Sequence, residues 1–188
     1  VEDDRIAALA PRAEVKREGA EVIDATGKLV LPGFINAHMH FYSTLVRGLG
    51  KARPSASFNE VLQHLWWRLD RQLTLEDCHI SALVALVAAI RHGTTTLIDH
   101  HASPHAVRGS LDAIARAVRE TGLRASLCYE LSDRDGGTVA REGIEENVAW
   151  IRACRTERDD QLKALFGLHA SFTIGDATLE EAARAGHE

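Results

Sequence analysis

Two histidines stand one residue apart, His38 and His40, directly after the apolar stretch Leu31 to Ala37. In an extended chain residues i and i+2 point to the same side, so both imidazoles can converge on one cation. Imidazole nitrogen is a donor that zinc and iron accept. A bare pair of this kind also occurs on surfaces and in cores, so its surroundings must decide. Asp99, His100 and His101 close a second apolar run, and adjacent strand residues face opposite ways. One of the two histidines should therefore face the mouth of the fold and the other away from it. Asp99 reads either as the partner that orients a metal-binding histidine or as a cap or loop residue.

These residues need strands to carry them. Leu31 to Ala37 reads as a buried strand, and Thr94 to Ile98, Leu123 to Leu131 and Leu162 to Leu168 as three more. Helices are expected between them. Leu75, Ile80, Leu83, Val84, Val87 and Ile90 recur at helical spacing behind the cap Thr74 and stop at Gly93. Val107 to Val118 repeats the pattern before Gly122, Ile144 to Ile151 marks a third helix, and Thr178 to Ala185 a fourth. Four β-α units with short connections predict a parallel sheet, open or closed into a barrel, with active residues at the strand C-termini. Ahead of them, short apolar clusters between Arg5 and Leu31, broken by Pro11, Gly19 and Gly27, read as short strands. Asp24 to Gly27 forms a turn.

A net charge of -5 with dispersed acids argues against a nucleic-acid partner. The run Ala82 to Ile90 is far below the roughly 20 residues of a membrane span. Cys78, Cys128 and Cys154 form no CxxC pair and fit a reducing cytoplasm. The chain opens at Val1 with no visible export leader, and its true start is expected to lie further upstream.

The segment Asp24-Ala-Thr-Gly-Lys-Leu-Val-Leu-Pro-Gly-Phe-Ile-Asn-Ala-His-Met-His40 resembles the opening signature of the amidohydrolase superfamily. Likeness continues through Leu45-Val-Arg-Gly48, Trp66-Trp-Arg-Leu-Asp-Arg-Gln-Leu-Thr74 and His92-Gly-Thr-Thr-Thr-Leu-Ile-Asp99, as in the amino- and chlorohydrolase branch that includes guanine deaminase. The resemblance implies an α/β fold, the N-terminal half of a (β/α)8 TIM barrel in 32–188, preceded in 1–31 by part of a small β-sandwich. It implies one divalent metal, zinc or alternatively iron, held by His38 and His40 with a later His and Asp. The remaining ligands and a proton-shuttling Glu in an HxxE segment are expected beyond Glu188. His187-Glu188 has the wrong spacing to replace that segment.

By the same resemblance His169 contacts the substrate; a hydrogen-bonded rim histidine is the alternative. Asp70 aligns with an acidic substrate contact, or is a helix-surface carboxylate paired with Arg68 or Arg71. Trp66 and Trp67 read as packing, with a lid as the second reading. The implied chemistry is hydrolytic deamination of a small amino-substituted nitrogen heterocycle, with a homo-oligomer compatible. Rival readings are a cyclic amidase or chlorohydrolase, or an inactive binding or assembly module. The segment alone is expected to lack deaminase activity.

Overall fold

The computed structural model describes the chain except residues 4, 16, 17, 50–52, 158 and 188. It divides into two units, Val1–Pro32 and Gly33–Glu188.

In the first unit the described residues form no strand ladder beyond a single bridge between Glu2 and Arg5. The expected turn is present: the Thr26 N–H and hydroxyl donate to Asp24 Oδ1 at 3.0 and 2.6 Å, and Gly27 takes φ +73°. The expected short strands do not pair. Ile6, Val22, Ile23, Leu29 and Leu31 all remain exposed, and an extended segment becomes a strand only when a neighbour takes its N–H and C=O groups.

The second unit is a parallel sheet ordered β1-β2-β3-β4, formed by Phe34–Met39, Thr94–His101, Arg124–Tyr129 and Leu162–Ala164. After β1 come a 3-10 turn Phe41–Val46, α1 Phe58–Val61, a π turn Leu62–Trp66 and α2 Trp67–Asp70. The longer helices are α3 Leu75–Arg91, α4 Ser110–Thr121, α5 Gly137–Glu157 and α6 Asp176–His187. No single helix among the described residues is long and apolar enough to cross a bilayer.

Local chemistry sets the helix limits. Thr74 Oγ1 accepts the Asp77 N–H and the Asp77 carboxylate accepts the Thr74 N–H, a capping box that opens α3. Gly93 at φ +74° and Gly122 at φ +72° end α3 and α4 in the left-handed conformation. The Gly109 that precedes α4 has no side chain to cap it. Glu146 of α5 does so instead, accepting from the Gly109 and Leu111 N–H groups at 2.9 and 3.0 Å. That clamp starts α4 at Ser110 rather than Val107. Leu86, Leu97, Leu111, Ile114, Leu127 and Leu162 are fully buried between sheet and helices, each side chain stabilising the fold by about 1.5–3 kcal/mol.

Two strands differ from expectation. β1 is not buried: Phe34 and Ile35 are 63% and 68% exposed, because it is an edge strand with one neighbour. β4 ends at Ala164, the Leu165 N–H still donates to the Leu127 carbonyl at 3.1 Å, and pairing as a bridge returns between Leu131 and Leu168. Between them Gly167 lies so close to the Tyr129 carbonyl that an added Cβ would sit 2.3 Å from its oxygen.

Candidate active site

The strand ends deliver His38 and His40, His100 and His101, Glu130 and His169 in chain order. The His38 and His40 rings lie 5.1 Å apart, edge to face. His40 Nδ1 is 2.7 Å from the His100 carbonyl oxygen. A carbonyl only accepts, so Nδ1 carries the proton and Nε2 keeps its lone pair. Burial holds the His40 pKa below its ordinary value, ahead of the opposing pull of that hydrogen bond. A neutral imidazole with its other nitrogen donated to a carbonyl is the form that ligates metals. Asp99 lies beneath, fully buried, and Oδ1 accepts the Phe41 N–H at 2.7 Å. It therefore fixes the backbone just after His40, a loop role, while burial pushes its carboxyl up to about 7.

The pleat separates His100 from His101. His101 faces the helices, fully buried, with Nε2 2.9 Å from Ser103 Oγ and 3.3 Å from Cys78 Sγ; burial pushes it down to about 3. His100 faces the cavity. Its Nε2 meets the Leu168 carbonyl at 3.1 Å and its Nδ1 meets Glu130 Oε2 at 3.3 Å. Burial disfavours charge on His100, but the bond to Glu130 and that residue's charge outweigh it and raise the pKa. His40, His100 and Glu130 offer ligand atoms within 4.8 Å of one another. In this arrangement His100 Nε2 is engaged by the Leu168 carbonyl and Nδ1 faces Glu130. His38 and His40 share one strand end, and His40 Nε2 is left uncommitted, so this pair could hold a cation.

Glu130 was not legible as a site residue. It is 5% exposed and also meets His169 Nε2 at 3.4 Å and Arg134 at 4.0 Å. Burial raises its pKa, but His100, His169 and Arg134 together bring it below the ordinary value. His169 Nδ1 is 2.6 Å from Thr173 Oγ1, whose own hydrogen goes to the Ala170 carbonyl. Nδ1 must therefore donate. Burial, set against the charge of Glu130, lowers the His169 pKa, and Nε2 faces the Glu130 carboxylate.

Asp70 is 1% exposed and pairs with Arg134 at 2.6 Å, not with Arg68 or Arg71. Arg71 instead donates to Asp135 at 2.7 Å. Burial pushes the Asp70 carboxyl up to about 6 against the pull of Arg134. Arg134 also meets Asp135 at 3.3 Å and lies 5.4 Å from the Trp67 ring centre. The guanidinium, rather than Asp70, reaches the cavity. That cavity, about 520 Å³, is lined by His38, His40, Glu130 and His169 together with the apolar Phe58 and Trp66. Trp66 and Trp67 thus both line it, and Trp66 also packs against the core.

A parallel α/β sheet with its polar cluster at the strand C-termini is the arrangement found at the active face of a (β/α) barrel. The profile of the amidohydrolase family matches residues 29–188, and the chain belongs to that family. It is 35% identical over 161 residues to a 5'-deoxyadenosine deaminase of Methanobrevibacter smithii, covering 86% of this chain and 35% of that relative. It is 31% identical to a 5-methylthioadenosine/S-adenosylhomocysteine deaminase of Thermococcus kodakarensis, covering 100% and 42%. The structure is similar to that of a zinc-bound adenosine deaminase from Xanthomonas campestris, with TM-score 0.66 and 23% identity over 81% of this chain and 33% of that one. The chain thus spans about two fifths of the curated relatives it matches.

Proposed function

We propose that the whole protein is a metal-dependent hydrolase that deaminates a small amino-substituted nitrogen heterocycle. The observation that carries this is the His38 and His40 pair, with the His40 tautomer set by the His100 carbonyl, opening on a cavity shared with His169. When bound, a zinc or iron ion held by His38 and His40 supplies Lewis-acid activation of water. The chain's own residues do the rest of the work visible here. His169 presents Nε2 to the substrate beside the Glu130 carboxylate, with Thr173 holding the opposite nitrogen. Glu130 keeps His100 and His169 in place, and Phe58 and Trp66 give a ring an apolar wall. Asp70 acts on the substrate side through Arg134. The deaminase names of the relatives support the same reading.

We assign the remaining metal ligands and the proton shuttle to the part of the relatives that this chain does not match. Residues 1–31 belong, on this reading, to a small β-sandwich completed by strands from elsewhere in the protein, which their exposed apolar side chains support. Three unpaired cysteines support a reducing cytoplasm. The test is ammonia release by the purified whole protein, loaded with zinc or iron, from a panel of aminopurine bases and nucleosides, with chloride release from a chlorotriazine run in parallel. Turnover of an aminopurine is expected. Full metal loading with no ammonia from any member would overturn the proposal.

A further inference from the structure

We propose that Asn147 is a positioning residue that sets the substrate affinity of this site by holding Glu130 and His169 side by side. The inference rests on the deaminase reading above.

β3 and β4 pair through Ala125 with Leu162, Ser126 with Lys163 and Leu127 with Ala164, and then part. In the gap stands Asn147 of α5, fully buried. Its Oδ1 accepts the Tyr129 N–H at 2.9 Å and the Gly167 N–H at 3.3 Å. Its Nδ2 donates to the Tyr129 carbonyl at 2.9 Å and the Gly143 carbonyl at 3.1 Å, with the Gly167 carbonyl at 3.4 Å. Two donors face the oxygen and three acceptors face the nitrogen, so the amide has one orientation. One carboxamide thus ties Tyr129 to Gly167 between the direct backbone bonds on either side, Leu165 N–H to the Leu127 carbonyl at 3.1 Å and His169 N–H to the Leu131 carbonyl at 2.9 Å.

The two backbones it joins are those that carry the site. Glu130 follows Tyr129 by one residue and His169 follows Gly167 by two, and their side chains meet at 3.4 Å. No other side-chain type supplies the same contacts. Aspartate turns an oxygen toward three carbonyls, leucine leaves the buried N–H groups unpaired, and glutamine is one methylene too long for a packed site. The neighbouring Glu146 makes a fitting contrast: it is buried in the same helix turn, yet it only caps α4.

The experiment compares Asn147→Asp, Asn147→Ser and Glu146→Gln in the whole metal-loaded protein. It reads KM, kcat, metal content and urea stability on the best aminopurine, and the Glu130 to His169 distance in a crystal structure of a folded Asn147 variant. All three variants are expected to lose stability. The Asn147 variants should raise KM by about tenfold with metal content unchanged, and their Glu130 to His169 contact should open. Glu146→Gln should keep the wild-type KM. A wild-type KM in a destabilised Asn147 variant, or an equal rise in Glu146→Gln, overturns the proposal. If the wild type turns over none of the panel, the deaminase reading falls separately. The crystallographic distance then decides for Asn147, and a contact still at 3.4 Å overturns it.

Discussion

Gly167→Ala is the sharpest test of how the floor of the site is built. The new Cβ would stand 2.3 Å from the Tyr129 oxygen, 2.9 Å from its carbonyl carbon and 3.0 Å from Cys128 Sγ. The first two are backbone atoms, so no rotamer change relieves the clash. Reaching even 3.0 Å requires the two segments to separate by about 0.7 Å. The Gly167 N–H to Asn147 bond at 3.3 Å and the Leu131 N–H to Gly167 carbonyl bond at 3.4 Å are already long, and that separation breaks both. Overpacking costs about 1–3 kcal/mol, and each broken bond adds about 1 kcal/mol. We therefore expect a loss of about 3–5 kcal/mol, read by equilibrium urea unfolding followed through tryptophan fluorescence. A loss below about 1 kcal/mol would refute the close approach and the stitched geometry built on it.

Further outcomes follow from other parts of the molecule. His38→Ala and His40→Ala should each abolish the metal content contributed by this region, measured by elemental analysis; retention of wild-type metal defeats the donor assignment. Thr74→Ala removes the capping box of α3 and should cost about 1 kcal/mol, read from the urea midpoint. Asp70 has a folded-state pKa raised from 3.8 to about 6. Its contribution to stability is therefore fully present below pH 3.8 and is lost as pH rises through 6. Wild-type stability measured relative to Asp70→Asn should accordingly fall across that window, and a difference that rises with pH contradicts the burial argument.

The β-α order, the caps at Thr74, Gly93 and Gly122, and the histidine pair were legible because each is written in local spacing. The opposite facings of His100 and His101 were legible for the same reason, since the pleat alone dictates them. Glu130, Arg134 and Asp135 were not. Glu130 closes the strand read over Leu123 to Leu131, where nothing in the spacing marks it, Arg134 and Asp135 lie in the connection after it, and their burial comes from packing against α2 and the strand ends. The pairing of Asp70 with Arg134 spans 64 residues and leaves no periodic signal. Exposure of β1 was missed because an apolar strand looks the same whether it has one neighbour or two.

The Asn147 stitch also changes what amide hydrogen exchange reports. In most sheets a strand amide is released when the neighbouring strand peels away. The Tyr129 and Gly167 amides are instead held by a side chain of α5, so their exchange follows the detachment of a helix from the sheet. Slow exchange at these two positions, matched to each other and to the α5 interior, would mark that helix and the floor of the site as one cooperative unit.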